Sequence, residues 1–114
     1  MLRYGRFSGA AVSEVPEKLP AFLIIEIVAV QDPDLYAKYR DSVSPNLDAG
    51  GGAYLVRGGP TEILEGDWRP NRIVVVRFDS ADKAREWWNS SAYAELKGMR
   101  QRSTTTNMIL VEGV

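Results

Sequence analysis

The sequence predicts an α+β subunit of ferredoxin-like topology, with two helices on one face of an antiparallel sheet. Two segments rich in β-branched residues, 22–30 and 72–78, are apolar on both faces, which is typical of strands at the centre of a sheet. A segment with helical spacing follows each of them. A glycine-rich stretch at 50–68 separates the two strand–helix units, so the predicted order is β-α-β-β-α-β.

Length and composition indicate one small domain. The 114 residues include no cysteine and no histidine, which excludes thiol nucleophiles, Cys or His zinc sites, Cys-ligated iron–sulfur clusters and the usual base of a serine triad. We therefore expect neither a metal nor a cofactor. The net charge of −1 gives no electrostatic basis for binding a nucleic acid or an anionic membrane. No apolar stretch of signal-peptide length follows Arg3 and Arg6, so a cytoplasmic protein is expected.

The first part of the chain divides into an arm and the start of the domain. Residues 1–20 show neither a helical nor a strand period, and we interpret them as an N-terminal arm. Residues 21–114 then form the single folded domain. It opens with the strand at 22–30, whose β-branched run is bounded by prolines.

The first helix has clear start signals. Asp32 is a good N-cap and Pro33 suits the first helical turn. Ser44-Pro45 is expected to end the helix, with a second short turn that Gly50 closes.

The remaining elements follow the glycine-rich stretch. In chain order they are a strand at 54–56, an extra hairpin arm at 61–65, a strand at 72–78, a helix capped by Ser80, a break and restart at Ser90-Ser91, and a last strand at 108–111.

The face of the sheet that the helices leave uncovered predicts a partner. In strands 22–30 and 72–78 this face carries mostly Phe, Ile and Val. Each such side chain left in water forgoes about 1.5 to 3 kcal/mol, and a contiguous apolar patch usually marks an interface. We expect a second copy of the chain to cover it, which gives a homodimer with two sheets packed face to face.

A series of residues from about position 21 to the end carries a family resemblance. These residues are Asp32-Pro33 with Tyr36 and Tyr39, Gly51-Gly52, the segment 54–59, the segment 64–68 with Pro70 and Arg72, Phe78, Ala84, Trp87, Ser90, Tyr93 and Arg100, and the closing segment 111–113. In order and spacing they resemble the bacterial family called domain of unknown function 1330. The resemblance implies a dimeric α/β-barrel of ferredoxin-like subunits, in a superfamily that includes cofactor-independent monooxygenases, lactone isomerases and stress-responsive barrels. It implies no particular reaction and supplies no catalytic residues.

Glu26 and Arg77 are the charges that interrupt the two central strands. If both point into the interior of a dimer, they form a buried pair with a polar pocket around it. The alternative is that one or both lie near a solvated strand end.

Arg57 ends a strand beside Gly58-Gly59, where its planar guanidinium group can bind a carboxylate or phosphate with two parallel hydrogen bonds. A structural ion pair with Glu65 or Asp67 would use the same chemistry, and both interpretations stay open.

Four aromatic residues are candidates for lining a ligand cavity at the mouth of the barrel. They are Tyr54, Trp68, Trp87 and Trp88. A flat organic ligand would suit such a cavity, although large aromatic residues are more often part of a core or an interface. For the adjacent Trp87 and Trp88, we expect one to pack on the sheet and the other to cover the rim.

Two functions remain open. An enzyme without metal or cofactor would act on a ring-containing or carboxylate-bearing metabolite, with Arg57 orienting the anion and Glu26 or Glu65 moving a proton. The alternative is a non-catalytic binding or structural module whose interior is filled by side chains. An open pocket with convergent Glu and Arg would favour the enzyme. RNA binding through the sheet is disfavoured, because strand 72–78 lacks the glycine and exposed aromatic residues of the stacking motif.

Overall fold

A computed structural model describes residues 18–114 of the chain. Its elements are β1 (Ala21–Val30), α1 (Pro33–Ala49), β2 (Ala53–Arg57), β3 (Arg72–Phe78), α2 (Ala81–Trp88), α3 (Ser91–Ser103) and β4 (Thr104–Glu112). Most of the arm expected at 1–20 lies outside the described residues. No helix within 18–114 is long and apolar enough to cross a membrane.

The four strands form one antiparallel sheet in the order β2-β3-β1-β4. The two central strands, β1 and β3, are the ones whose sequences are apolar on both faces. Ile24 of β1 lies opposite Val75 of β3 on one side and Ile109 of β4 on the other. This arrangement confirms the predicted ferredoxin-like fold.

Helix α1 is longer than the sequence predicts. Asp32 caps it by accepting a hydrogen bond from the Leu35 N–H at 3.1 Å, as expected. The predicted end at Ser44-Pro45 is wrong, because the helix continues through Pro45 to Ala49. A proline here forgoes one backbone hydrogen bond, but Val43 and Leu47 on either side of it are buried against the core, and this packing holds the last turn in place.

The second helical region has the predicted break. Ser80 caps α2 and Ser90 caps α3, each by accepting from a backbone N–H three residues later at 3.2 Å. The last strand starts at Thr104, directly after α3 and four positions before the predicted start at 108.

The extra hairpin arm predicted at 61–65 is wrong. Residues 59–71 form a loop without helix or strand, and 61–69 are all exposed. A lone hairpin is stable only when apolar side chains pack on one of its faces. Ile63 is 40 % exposed and Leu64 is 87 % exposed, so this segment has little apolar packing to hold a ladder.

The two faces of the sheet have different surroundings. The helices cover the inner face, where alternate residues of β1 and β3 join the core, namely Leu23, Ile25, Ile27, Val74, Val76 and Phe78. The outer face carries the other set, including Ile24, Val75, Ile109 and Val111. Ile109 is 61 % exposed and Val111 is 38 % exposed. As predicted, the face away from the helices is largely apolar.

Candidate functional site

A pocket lies between helix α1 and the inner face of the sheet. About 40 Å³ of it is open to the centres of water molecules. The buried Tyr39 and Arg100 form its deeper part, and the exposed Arg40 and Arg57 form its mouth. The lining is mostly aliphatic and aromatic, and its polar members are Tyr36, Tyr39, Tyr54, Arg40, Arg57, Arg72 and Arg100. No carboxylate is among the described lining residues, so the pocket joins an apolar wall to positive charge.

Strand register places two of the arginines side by side. Arg57 is opposite Val74 and Arg72 is opposite Ile27, and both partners belong to the inner face. The two guanidinium groups therefore project on the pocket side of neighbouring strands. Across residues 18–114, none of the four lining arginines has a carboxylate within ion-pairing distance.

Arg72 is held against the backbone at Gly58. Gly58 has a φ of +72°, and a Cβ there would meet the Arg72 guanidinium group, with its Cζ at 2.6 Å. The Arg72 Nε is buried without a hydrogen-bond partner in the described chain. The Gly58 N–H donates to the Ile73 carbonyl at 2.8 Å, so it is not free for an anion. Glycine at 58 thus makes room for Arg72 and contributes no donor of its own.

Tyrosine rings support the two outer arginines. The guanidinium carbon of Arg57 lies 4.5 Å from the centre of the Tyr54 ring, and that of Arg40 lies 5.2 Å from the Tyr36 ring. Such cation–π contacts restrain an arginine through its face and leave its N–H edges free to donate. Arg57 and Arg40 are exposed, so their edges are accessible at the mouth.

A buried polar group lies at the inner end of the pocket. The hydroxyls of Tyr39 and Tyr93 are 3.0 Å apart, and Arg100 Nε donates to the Tyr93 hydroxyl at 3.4 Å. Arg100 is 4 % exposed, and the Trp87 ring stacks on Tyr93 with 3.8 Å between centroids. Burial, with the nearby Tyr93 hydroxyl, raises the pKa of Tyr39 well above its usual value, so its hydroxyl stays protonated at neutral pH.

Three of the predicted site residues reach this pocket. Tyr54 and Arg57 line its mouth, and Trp87 lines it from α2. Neither Glu65 nor Asp67 pairs with Arg57. The ion-pair alternative for Arg57 is therefore not realised within the described chain. Glu65 lies exposed in the loop 59–71, away from the pocket lining.

The two predicted charges of the central strands, Glu26 and Arg77, lie on the outer face. Glu26 is opposite Ile73 and accepts a hydrogen bond from Trp68 Nε1 at 3.3 Å. Arg77 is opposite Phe22 and pairs with Asp79 at 2.8 Å. Because four positions of register separate Glu26 from Arg77, the two charges do not pair within the subunit.

The tryptophan pair on α2 behaves as predicted. Trp87 is buried in the core and also lines the pocket, and its Nε1 donates to Asn46 Oδ1 at 2.9 Å. Trp88 is half-buried at the edge of the sheet, with Lys97 Nζ 4.4 Å from its ring centre.

Of the four arginines that line the pocket, the sequence predicts Arg57 as a ligand-binding residue and does not identify the other three. Arg72 is the first residue of a strand, and only the register shows that its side chain is on the inner face. Arg100 did carry a signal, since a charged residue follows Tyr93 and Leu96 on the apolar stripe of a helix.

Comparison with solved structures shows the fold. A protein of unknown function from Rhodopseudomonas palustris matches with a TM-score of 0.70 and 16 % identity, over 86 % of this chain and 85 % of that one. SnoaB, a cofactor-independent oxygenase from Streptomyces nogalater, matches with a TM-score of 0.59 and 9 % identity, over 84 % and 94 %. A hypothetical Arabidopsis thaliana protein matches with a TM-score of 0.60 and 13 % identity, over 86 % and 93 %. At these identities the likeness concerns the fold and transfers no activity.

Sequence comparison identifies the family. No curated protein sequence matches the chain. The family model described as "Domain of unknown function (DUF1330)" matches residues 20–114. Because this match spans all of the described fold except its first two residues, the chain belongs to the DUF1330 family.

Proposed function

We propose that the protein binds a small, ring-containing metabolite with an anionic group in the pocket between α1 and the sheet. The observation that carries this proposal is the set of four arginines around one apolar pocket with no carboxylate partner in the described chain. Positive charge that no side chain neutralises stabilises a bound anion, and guanidinium groups suit carboxylates and phosphates in particular.

The shape of the pocket limits what it can hold. About 40 Å³ of the pocket is open to the centres of water molecules, which admits one small functional group of a ligand. The rest of the ligand would occupy the mouth, where Tyr54 and Tyr36 support Arg57 and Arg40.

The geometry favours binding over the carboxylate chemistry expected from the sequence. Glu26 and Glu65, the predicted proton carriers, are not among the residues that line the pocket. The described site therefore lacks the convergent Glu and Arg that would favour acid or base catalysis by a carboxylate. A non-catalytic binding protein is the function that this arrangement supports best.

We also propose that two copies associate through the outer faces of their sheets. The exposed apolar residues Ile109 and Val111 support this pairing, because such a patch is costly to leave in water. Glu26 and Arg77 lie four register positions apart on the same face, so a two-fold axis midway between them would bring the Glu26 of one copy toward the Arg77 of the other.

Benzoate is a suitable first probe for the ligand site, because it joins a flat ring to a carboxylate. In isothermal titration calorimetry, we expect benzoate to bind and benzyl alcohol to bind at least about tenfold more weakly, as the loss of a charge-assisted hydrogen bond implies. Arg57→Gln should weaken benzoate binding by a similar factor. Arg69→Gln, which changes an exposed arginine outside the pocket lining, is the matched control and should bind benzoate normally. Equal binding of the acid and the alcohol would contradict the proposal.

A further inference from the structure

A directional series of hydrogen bonds runs from Arg100 through Tyr93 to Tyr39. A guanidinium group carries only donors, so Arg100 Nε donates to the Tyr93 oxygen, at 3.4 Å. The proton of the Tyr93 hydroxyl must then point elsewhere. Tyr93 is fully buried, and in the described chain the Tyr39 hydroxyl at 3.0 Å is the other group in reach.

This order fixes the role of the Tyr39 proton. If Tyr39 donated to Tyr93, the Tyr93 oxygen would accept twice and its own proton would be buried without an acceptor, which is unfavourable. The stable order is therefore Arg100 to Tyr93 to Tyr39. The Tyr39 hydroxyl proton then has no acceptor within residues 18–114, and the side chain lines the pocket.

Arg100 has unused donors at the same end of the pocket. It lines the pocket and is 4 % exposed, yet its terminal amino groups donate to no group of the described chain. The Arg100 guanidinium carbon lies 5.8 Å from the centre of the Trp88 ring, and its terminal nitrogens are not fully buried, so these donors remain accessible to a ligand. Tyr39 and Arg100 together thus present donors, and no acceptor, to the deeper part of the pocket.

We propose that Tyr39 donates a hydrogen bond to a second oxygen of the ligand, a carbonyl or carboxylate oxygen that enters the deeper part of the pocket beside Arg100. This inference rests on the proposed function, in which the pocket arginines bind an anionic group, and it places that group at the mouth beside Arg57. The ligand class is then a flat acid with an oxygen acceptor at the end opposite its carboxylate. A hydrocarbon group of the same shape would leave both donors unpaired and would be disfavoured.

Two acids of nearly equal shape test this inference. 4-Acetylbenzoate and 4-isopropylbenzoate share the ring and the carboxylate, but only the first has a carbonyl oxygen at the far end. We expect the wild-type protein to bind the acetyl compound about fivefold to tenfold more tightly in calorimetry, which is the usual effect of one hydrogen bond. Tyr39→Phe should abolish this preference, and Arg57→Gln should weaken both acids while keeping it.

Controls separate the possible failures. Tyr36→Phe changes a neighbouring tyrosine of the same helix and pocket and should keep the preference. Tyr93→Phe leaves the Tyr39 proton without any acceptor in the described chain, so this variant should keep the preference. Equal binding of the two acids to the wild type, or a preference that persists in Tyr39→Phe, would overturn this inference and leave the proposed function standing. Failure of both acids to bind would overturn the proposed function as well.

Discussion

Replacing Gly58 with alanine tests how the fold positions Arg72. Gly58 has a φ of +72°, in the left-handed region, where an L-residue costs about 1 to 2 kcal/mol. The new Cβ would also occupy space that the Arg72 guanidinium group fills, with Cζ at 2.6 Å. Because the end of an arginine side chain is flexible, we expect Arg72 to move aside at small extra cost. Gly58→Ala should therefore lose about 1 to 2 kcal/mol of unfolding free energy, mostly from the backbone.

Gly66 provides a matched control for the backbone term. Its φ is +85°, and nothing lies within 4 Å of a Cβ built there. Gly66→Ala should lose a similar unfolding free energy in urea denaturation, measured at the same protein concentration because association affects stability. Only Gly58→Ala should displace Arg72, and we expect its affinity for benzoate to fall about tenfold while Gly66→Ala binds as the wild type does.

Two results with Gly58→Ala and Gly66→Ala would contradict the premise that Gly58 positions Arg72. If Gly58→Ala bound benzoate as tightly as the wild type, the contact between Gly58 and Arg72 would have no role in the ligand site. If Gly58→Ala were several kcal/mol less stable than Gly66→Ala, Arg72 would be rigidly held and the premise of a flexible side chain would be wrong.

Three further predictions concern the interface, a helix cap and the pH dependence. We expect the wild type to run as the proposed homodimer in size-exclusion chromatography with light scattering; Ile109→Glu on the outer face should give monomer, whereas Lys38→Glu on the solvent side of α1 should not. Ser90→Ala should cost about 1 kcal/mol or more in urea denaturation, because the hydroxyl caps α3 and donates to a carbonyl of α2, and the exposed Ser91→Ala should cost less. Since folding raises the pKa of Tyr39, the stability it contributes is complete below the ordinary tyrosine pKa of about 10 and is lost as pH rises above it. Urea midpoints between pH 9 and about pH 11 should fall more steeply for the wild type than for Tyr39→Phe, and equal slopes would contradict this assignment.

The fold could be predicted because its main signals are local. Strands with two apolar faces identified β1 and β3 as central, and capping residues located the starts of three helices. Both errors of element type concern tertiary packing. Pro45 remains helical because buried neighbours hold the turn, and 61–65 is not a strand because its side chains are exposed and pack on nothing that would stabilise a hairpin.

The candidate site was harder to predict, because it depends on which face of the sheet each strand residue occupies. Tyr54 and Arg57 could be found from their place beside the glycines. Arg72 and Arg100 are brought to the same pocket only by strand register and by the orientation of α3. Local sequence gives neither of these.

The pocket and the proposed interface between copies lie on opposite faces of the same two central strands. Glu26 of β1 lies on the outer face with Ile24, whereas the pocket uses Ile25 and Ile27, one residue away from Glu26 on either side. Since both sets of positions are largely apolar, the sequence alone does not decide which face encloses a cavity. The expectation of a ligand between two sheets assigned both tasks to one surface. With the described pocket under α1, the proposed association would use the outer face of the central strands and the proposed ligand recognition would use their inner face.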